Sequence, residues 1–233
     1  MAKKVLKILK NIIIFALMVS LLLAAGLPMQ VYAYDFGFLY ENKILILIYI
    51  LLAFGIFSIV GLIDKKSKKN PGTWHGKRSP INKKWFIRLF IYLFVFSLFN
   101  IIQGLIMEYF ELGNALNQNI IENELVNFPK KFWLYFHIAF FAPVFEELVF
   151  RKVFMDLFFT KDKISHHILA ILSSGLIFAL MHEASLSLYL LLYTIPGVLL
   201  GFFYRSSKDI RLPILVHIVN NLFSILSIIL GPA

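Results

Sequence analysis

Seven runs of apolar residues, separated by short polar stretches, organise this chain. They cover roughly 12–27, 44–63, 85–107, 131–159, 164–182, 186–204 and 212–230. All but the longer fourth are close to the twenty or so residues that an α-helix needs to cross a hydrocarbon core of about 30 Å. No internal repeat, low-complexity tract or separate soluble domain accompanies them. The pattern predicts an all-α, polytopic integral membrane bundle of about seven transmembrane helices.

The polar stretches orient the runs. A basic start, MAKKVLKILK, precedes the first run, and Val31-Tyr32-Ala33 follows it. This order fits a signal peptide cleaved after Ala33 and fits equally an uncleaved first span. The second run ends in DKKSKKNPGTWHGKRSPINKK, a lysine-dense segment with Pro, Gly and Ser turn signals, which marks that side as cytoplasmic. The segment EYFELGNALNQNIIENELVNF, with four glutamates and no base, falls outside. Lys161, Lys163, Arg205, Lys208 and Arg211 mark further inner turns, and the C-terminal Gly231-Pro232-Ala233 is again external. Three regions result: 1–33, a signal peptide or first helix; 34–130, an N-terminal membrane region with the basic loop; and 131–233, where polar residues enter the spans.

Composition narrows the chemistry. Apolar residues make up 60% and charged residues 15% of the chain, and mean hydropathy is +0.80. The net charge of +10 comes from segments between spans, so it speaks for membrane orientation and not for nucleic-acid binding. With no cysteine, the available groups are carboxylate, imidazole, amide and hydroxyl.

Charges inside spans are costly, about 2.5 to 3.5 kcal/mol each at a helix centre on insertion scales, and usually face a partner or a watery cavity. The stretch FFAPVFEELVFRKVF holds four, and three of them, Glu146, Glu147 and Arg151, precede the end that Lys152 begins. Glu147 and Arg151, four apart, can neutralise one another. Glu146 points about 100° away and requires a partner from another span. Pro143, lacking an amide hydrogen, deprives a carbonyl near Ala139 of its helical bond just before the glutamates. Other polar groups within spans are His182, sharing a helix face with Phe178, and His217 with Asn221, beside Asn220. A helix from Lys131 to Phe159 would be roughly 43 Å long, carrying Lys152 and Asp156 toward water at its inner end. Glu146 then sits roughly 8 Å, His217 roughly 9 Å and His182 roughly 17 Å inside the inner boundary. The expected site therefore lies in the cytoplasmic half of the bilayer, with water reaching it through a cavity that opens inward.

At these residues the sequence resembles the CPBP intramembrane proteases, which include CAAX prenyl endopeptidases of the Ras-converting type and the bacteriocin-immunity (Abi) proteins. Three motifs carry the resemblance, in order: EExxxR in Glu146, Glu147 and Arg151; FxxxH in Phe178 and His182; HxxxN in His217 and Asn221. It extends from Lys131 to Leu230. It implies a peptidase in which Glu146 and His182 activate water, His217 and Asn221 stabilise the oxyanion, Glu147 and Arg151 support them, and Phe178 shapes the pocket. The expected substrate is a membrane-associated peptide or protein.

No cofactor is required by this scheme, although Glu146, His182 and His217 would also make a three-ligand Zn2+ site with an open position. No second histidine follows His182-Glu183 at zincin spacing. Two rival functions predict different behaviour: a non-catalytic immunity or interaction protein would keep its effect without Glu146, and a small proton-coupled transporter would use Glu146 without cleaving anything. His137, His75 and His166-His167 are read as packed, interfacial or solvated, and Pro196-Gly197 as a site of kinking or close packing.

Overall fold

The computed structural model describes residues 2–34, 43–68, 76, 79–113, 119 and 135–230. Residues 69–75 and 77–78 of the basic segment between the second and third runs, and most of the acidic one before the fourth, lie outside the described residues. So does Lys131, the expected start of the fourth helix. The described residues form seven helical elements and no strand, as hydropathy predicts. They are α1 (Ala2–Tyr34), α2 (Lys43–Lys68), α3 (Lys83–Tyr109), a composite α4 detailed below, α5 (Ile164–His182), α6 (Leu188–Ser207) and α7 (Arg211–Leu230). Five are long and apolar enough to cross a bilayer: α1 over Lys4–Gly26, α3, α5, α6 and α7. The chain is a multi-pass membrane protein.

Local chemistry sets the helix ends. Asn82 caps α3, its side-chain oxygen accepting from the Trp85 amide at 3.1 Å. Lys208 ends α6 in the left-handed conformation, φ 60°, with its amide bonded back to the Tyr204 carbonyl. Large apolar side chains such as Leu6, Phe54 and Phe90 point outward, as lipid-facing helices require. The interior takes the polar groups: Glu147, Arg151, Lys152, Asp156, Ser174, Arg205, Asp209 and His217 are all buried.

Two apolar cores hold the bundle. Met18 and Ala25 of α1 and Ile56 of α2 pack against Phe145, Val149, Phe150 and Val153 of α4. Trp85, Tyr92 and Phe96 of α3 pack against Leu200 and Phe203 of α6 and Leu212 and Val216 of α7, with the Tyr92 and Phe203 rings stacked at 4.2 Å. Helices α5 and α6 approach most closely through Gly175 and Gly197: a Cβ on Gly197 would lie 2.8 Å from the Gly175 carbonyl oxygen. Pro196-Gly197 thus serves close packing, as its composition suggests.

The fourth helix departs from expectation. Instead of one continuous α-helix, it runs as a π-helical turn over His137–Phe141, an α segment over Ala142–Glu147, a second π segment over Leu148–Met155 and a short α end over Asp156–Phe158. Lys152 and Asp156 do not reach water. They form a buried ion pair at 2.9 Å, and the Tyr204 hydroxyl donates to Asp156 at 3.1 Å. Burying a charge without such partners would cost several kcal/mol, so a cross-span contact replaces the solvent that the sequence suggested.

Candidate active site

Pro143 and the first π turn together expose a carbonyl. In the π register the Ala142 amide bonds to the His137 oxygen, five residues back, and the Ile138 oxygen would be served by residue 143. Residue 143 is proline and has no N–H to give. The Asn221 side chain of α7 fills the gap, its Nδ2 donating to Ile138 O at 2.9 Å. The orphan that sequence places near Ala139 is therefore at Ile138, and one N–H of Asn221 is committed to holding α4 against α7. Asn221 Oδ1 accepts in turn from Asn220 at 3.3 Å, and Asn220 Oδ1 accepts from Asn100 of α3 at 2.7 Å.

One turn further along α4 stand the glutamates. Glu147 is fully buried between two partners: Arg151 Nε at 3.1 Å and His217 Nδ1 at 3.2 Å. Arg151, also fully buried, donates to Ser174 Oγ at 3.2 Å and lies 5.0 Å from the centroid of the Phe178 ring. Ser174 passes its own proton to the Phe150 carbonyl at 2.9 Å. The network joins α4, α5 and α7 and leaves the Glu147 side chain fully buried.

Glu146 projects into a cavity of about 710 Å³. Its Oε2 is 3.8 Å from His217 Nε2, beyond hydrogen-bond distance. Because a carboxylate oxygen accepts, His217 Nδ1 carries the proton shared with Glu147, and Nε2 is the nitrogen turned toward Glu146. His182 is oriented in the same way. Its Nδ1 donates to the Phe178 carbonyl at 2.9 Å, leaving Nε2 as the basic nitrogen. Its ring is enclosed by Phe178 at 4.4 Å and Tyr193 at 5.5 Å, and Phe178 also meets His217 at 5.8 Å. Phe178 thus contacts both imidazoles. Glu146, Phe178, His182, His217 and Asn221 all line the cavity.

The possible zinc set is less well gathered. Among the described residues, no three His, Asp or Glu side chains come together closely enough to hold a metal ion. His217 couples to Glu146 across 3.8 Å, but His182 is not grouped with them.

Sequence reasoning missed part of the wall. Asn100 and Gln103 of α3 line the cavity beside Asn220, and so does His137, which sequence reads as interfacial. Two carboxamides three residues apart in an otherwise apolar span were the available signal.

Comparison with known proteins falls on this region. Residues 128–223 match the family model of the type II CAAX prenyl endopeptidase, Rce1-like. Over 85 residues the chain is 36% identical to YdiL of Bacillus subtilis strain 168, provisionally named a membrane peptidase, a stretch that is 36% of this chain and 33% of that protein. Over 100 residues it is 32% identical to the membrane-embedded CAAX protease MroQ of Staphylococcus aureus strain USA300, covering 42% and 40%. The matches thus span well under half the length of these curated relatives. No solved structure matches the chain. The family expected from the three motifs is the one matched, and the matched residues include every motif position.

Proposed function

We propose that this protein is an intramembrane endopeptidase whose water is activated by Glu146 and His182. The observation that carries the reading is a single cavity lined by Glu146 and by two imidazoles whose Nδ1 atoms are both tied back, to Glu147 and to the Phe178 carbonyl. The basic nitrogen of His182, the Nε2 edge of His217 and a carboxylate therefore border a cavity within an otherwise apolar bundle.

In the proposed reaction Glu146 takes a proton from water while His182 Nε2 orients it, and the oxygen attacks the scissile carbonyl. Negative charge then develops on the carbonyl oxygen. In this scheme His217 enters the reaction protonated on both ring nitrogens and donates its Nε2–H to that oxyanion, with Nδ1–H held by Glu147. Collapse of the intermediate breaks the C–N bond as Glu146 returns its proton to the departing amine. Asn221 contributes chiefly by position, fixing the α4 backbone one turn before Glu146. The scheme runs without a metal; zinc content and chelator sensitivity of the purified protein test that part.

The substrate class is a peptide or protein segment at the membrane. The amides of Asn100, Gln103 and Asn220 suit backbone N–H and C=O groups, and Leu22, Leu23 and Phe145 suit apolar side chains. Comparing membrane peptidomes of cells carrying the wild type and the Glu146→Ala or His182→Ala variants tests catalysis and identifies products together. Each variant should insert and fold yet yield none of the wild-type products; full processing by either refutes the assignment.

A further inference from the structure

The cavity and the basic residues occupy opposite ends of the bundle. At the basic end the Asn11 amide of α1 donates to the Leu157 carbonyl of α4 at 2.9 Å, and Lys208 after α6 pairs with Asp162 before α5 at 3.7 Å. Ser79 N and Trp85 Nε1 both donate to Asp209 at 3.1 Å, bringing the start of α3 to the α6–α7 turn. The starts of α1, α3, α5 and α7 and the ends of α4 and α6 thus share one end. The cavity is lined from the other ends of the same helices: Gly26 of α1, Met107 of α3, His182 of α5, Tyr189 of α6 and Ser227 of α7.

Charge assigns the two ends to sides. Outside α4, every lysine and arginine except Lys43, Lys130 and Lys131 falls at the basic end or in the sequence joining its helices. Retention of such residues in the cytoplasm makes that end cytoplasmic. The cavity floor is near the middle of the bundle, since His217 is six residues, about 9 Å, beyond Arg211. Between floor and cytoplasm the helices are closed by buried groups: the Lys152–Asp156–Tyr204 cluster, Trp85 on Asp209, and Leu212.

From this geometry we infer that the cavity opens to the non-cytoplasmic face and receives a peptide chain presented from that side. The floor can still lie at the depth that sequence assigns to Glu146; the mouth faces away from the inward route. The second half of the inference rests on the peptidase reading, and the first does not.

The absence of cysteine makes the test direct. Single cysteines are introduced as Ser227→Cys and Gln103→Cys in the cavity wall and Lys161→Cys at the basic end. Each is exposed to a membrane-impermeant maleimide in right-side-out and inside-out vesicles. The cavity cysteines should react at least an order of magnitude faster in right-side-out vesicles, and Lys161→Cys in inside-out ones. Faster reaction of the cavity cysteines from the cytoplasmic side, equal reaction from both sides, or none from either overturns the orientation. A library of quenched fluorogenic peptides supplied outside right-side-out vesicles should be cleaved by the wild type and spared by Glu146→Gln. Cleavage only when the library meets the cytoplasmic side overturns the inference and leaves the peptidase reading intact. Outside labelling with no Glu146-dependent cleavage in either presentation refutes the peptidase reading and, with it, the claim on the substrate.

Discussion

The clamp between Asn221 and Ile138 can be weighed by a double-mutant cycle. Asn221→Ala removes the donor and leaves the Ile138 carbonyl unpaired between helices, where no backbone N–H replaces it. Stranding a buried acceptor costs about 1 to 3 kcal/mol in soluble proteins, and side-chain hydrogen bonds within membranes average about 0.6 with a maximum near 1.7 kcal/mol. A loss of about 1.5 kcal/mol is therefore expected. Pro143→Ala supplies an N–H at the position that the π register assigns to Ile138 O. In that background Asn221→Ala should cost about 1 kcal/mol less, because the carbonyl has regained a partner. Reversible unfolding in mixed detergent micelles measures all four corners of the cycle. Additivity within about 0.3 kcal/mol would show that the two residues do not share an acceptor. If Asn221 served only the oxyanion, its loss would leave unfolding unchanged in both backgrounds.

Two other predictions concern the buried charges. Arg151→Met leaves Glu147 buried with only His217 beside it, and should lower stability by about 3 to 5 kcal/mol in the same micelle assay; the double variant Glu147→Gln with Arg151→Met should recover part of that loss. Asp209 lies in the α6–α7 turn, where burial raises its carboxyl pKa but hydrogen bonds from Arg211, Ser79 and Trp85 outweigh that and hold it below the usual 3.8. A depressed carboxyl contributes stability above its unfolded pKa and loses it as pH falls through the folded value. The wild type should therefore lose stability below about pH 4, a loss that Asp209→Asn, already weaker at neutral pH, does not share.

The membrane-crossing elements were legible because hydrophobic length is nearly sufficient to define them. The α5 run, 164–182, coincides with the helix, and α3 and α7 differ by one or two residues at their ends. The motif residues were legible for a related reason: a charge or imidazole in an apolar span stands out against its neighbours. What sequence did not carry is register. An i→i+5 turn and an i→i+4 turn use the same apolar residues, so the π segments around Glu146 leave no trace in hydropathy. Lys152 and Asp156 read as a solvated helix end because Tyr204, 48 residues on, had no visible connection to them. The partner of Asn221 was hidden for a simpler reason: it is a main-chain oxygen, and every residue has one.

The contact between Gly175 and Gly197 has a consequence for how the bundle accommodates a guest. With no side chain between them, these two rods are locked as one stiff pillar, and that pillar carries His182 together with its aromatic brackets. If a polypeptide entered the chamber, its clearance would have to come from walls other than this pair. The His182 ring would keep its aim, because its two brackets sit on the paired rods.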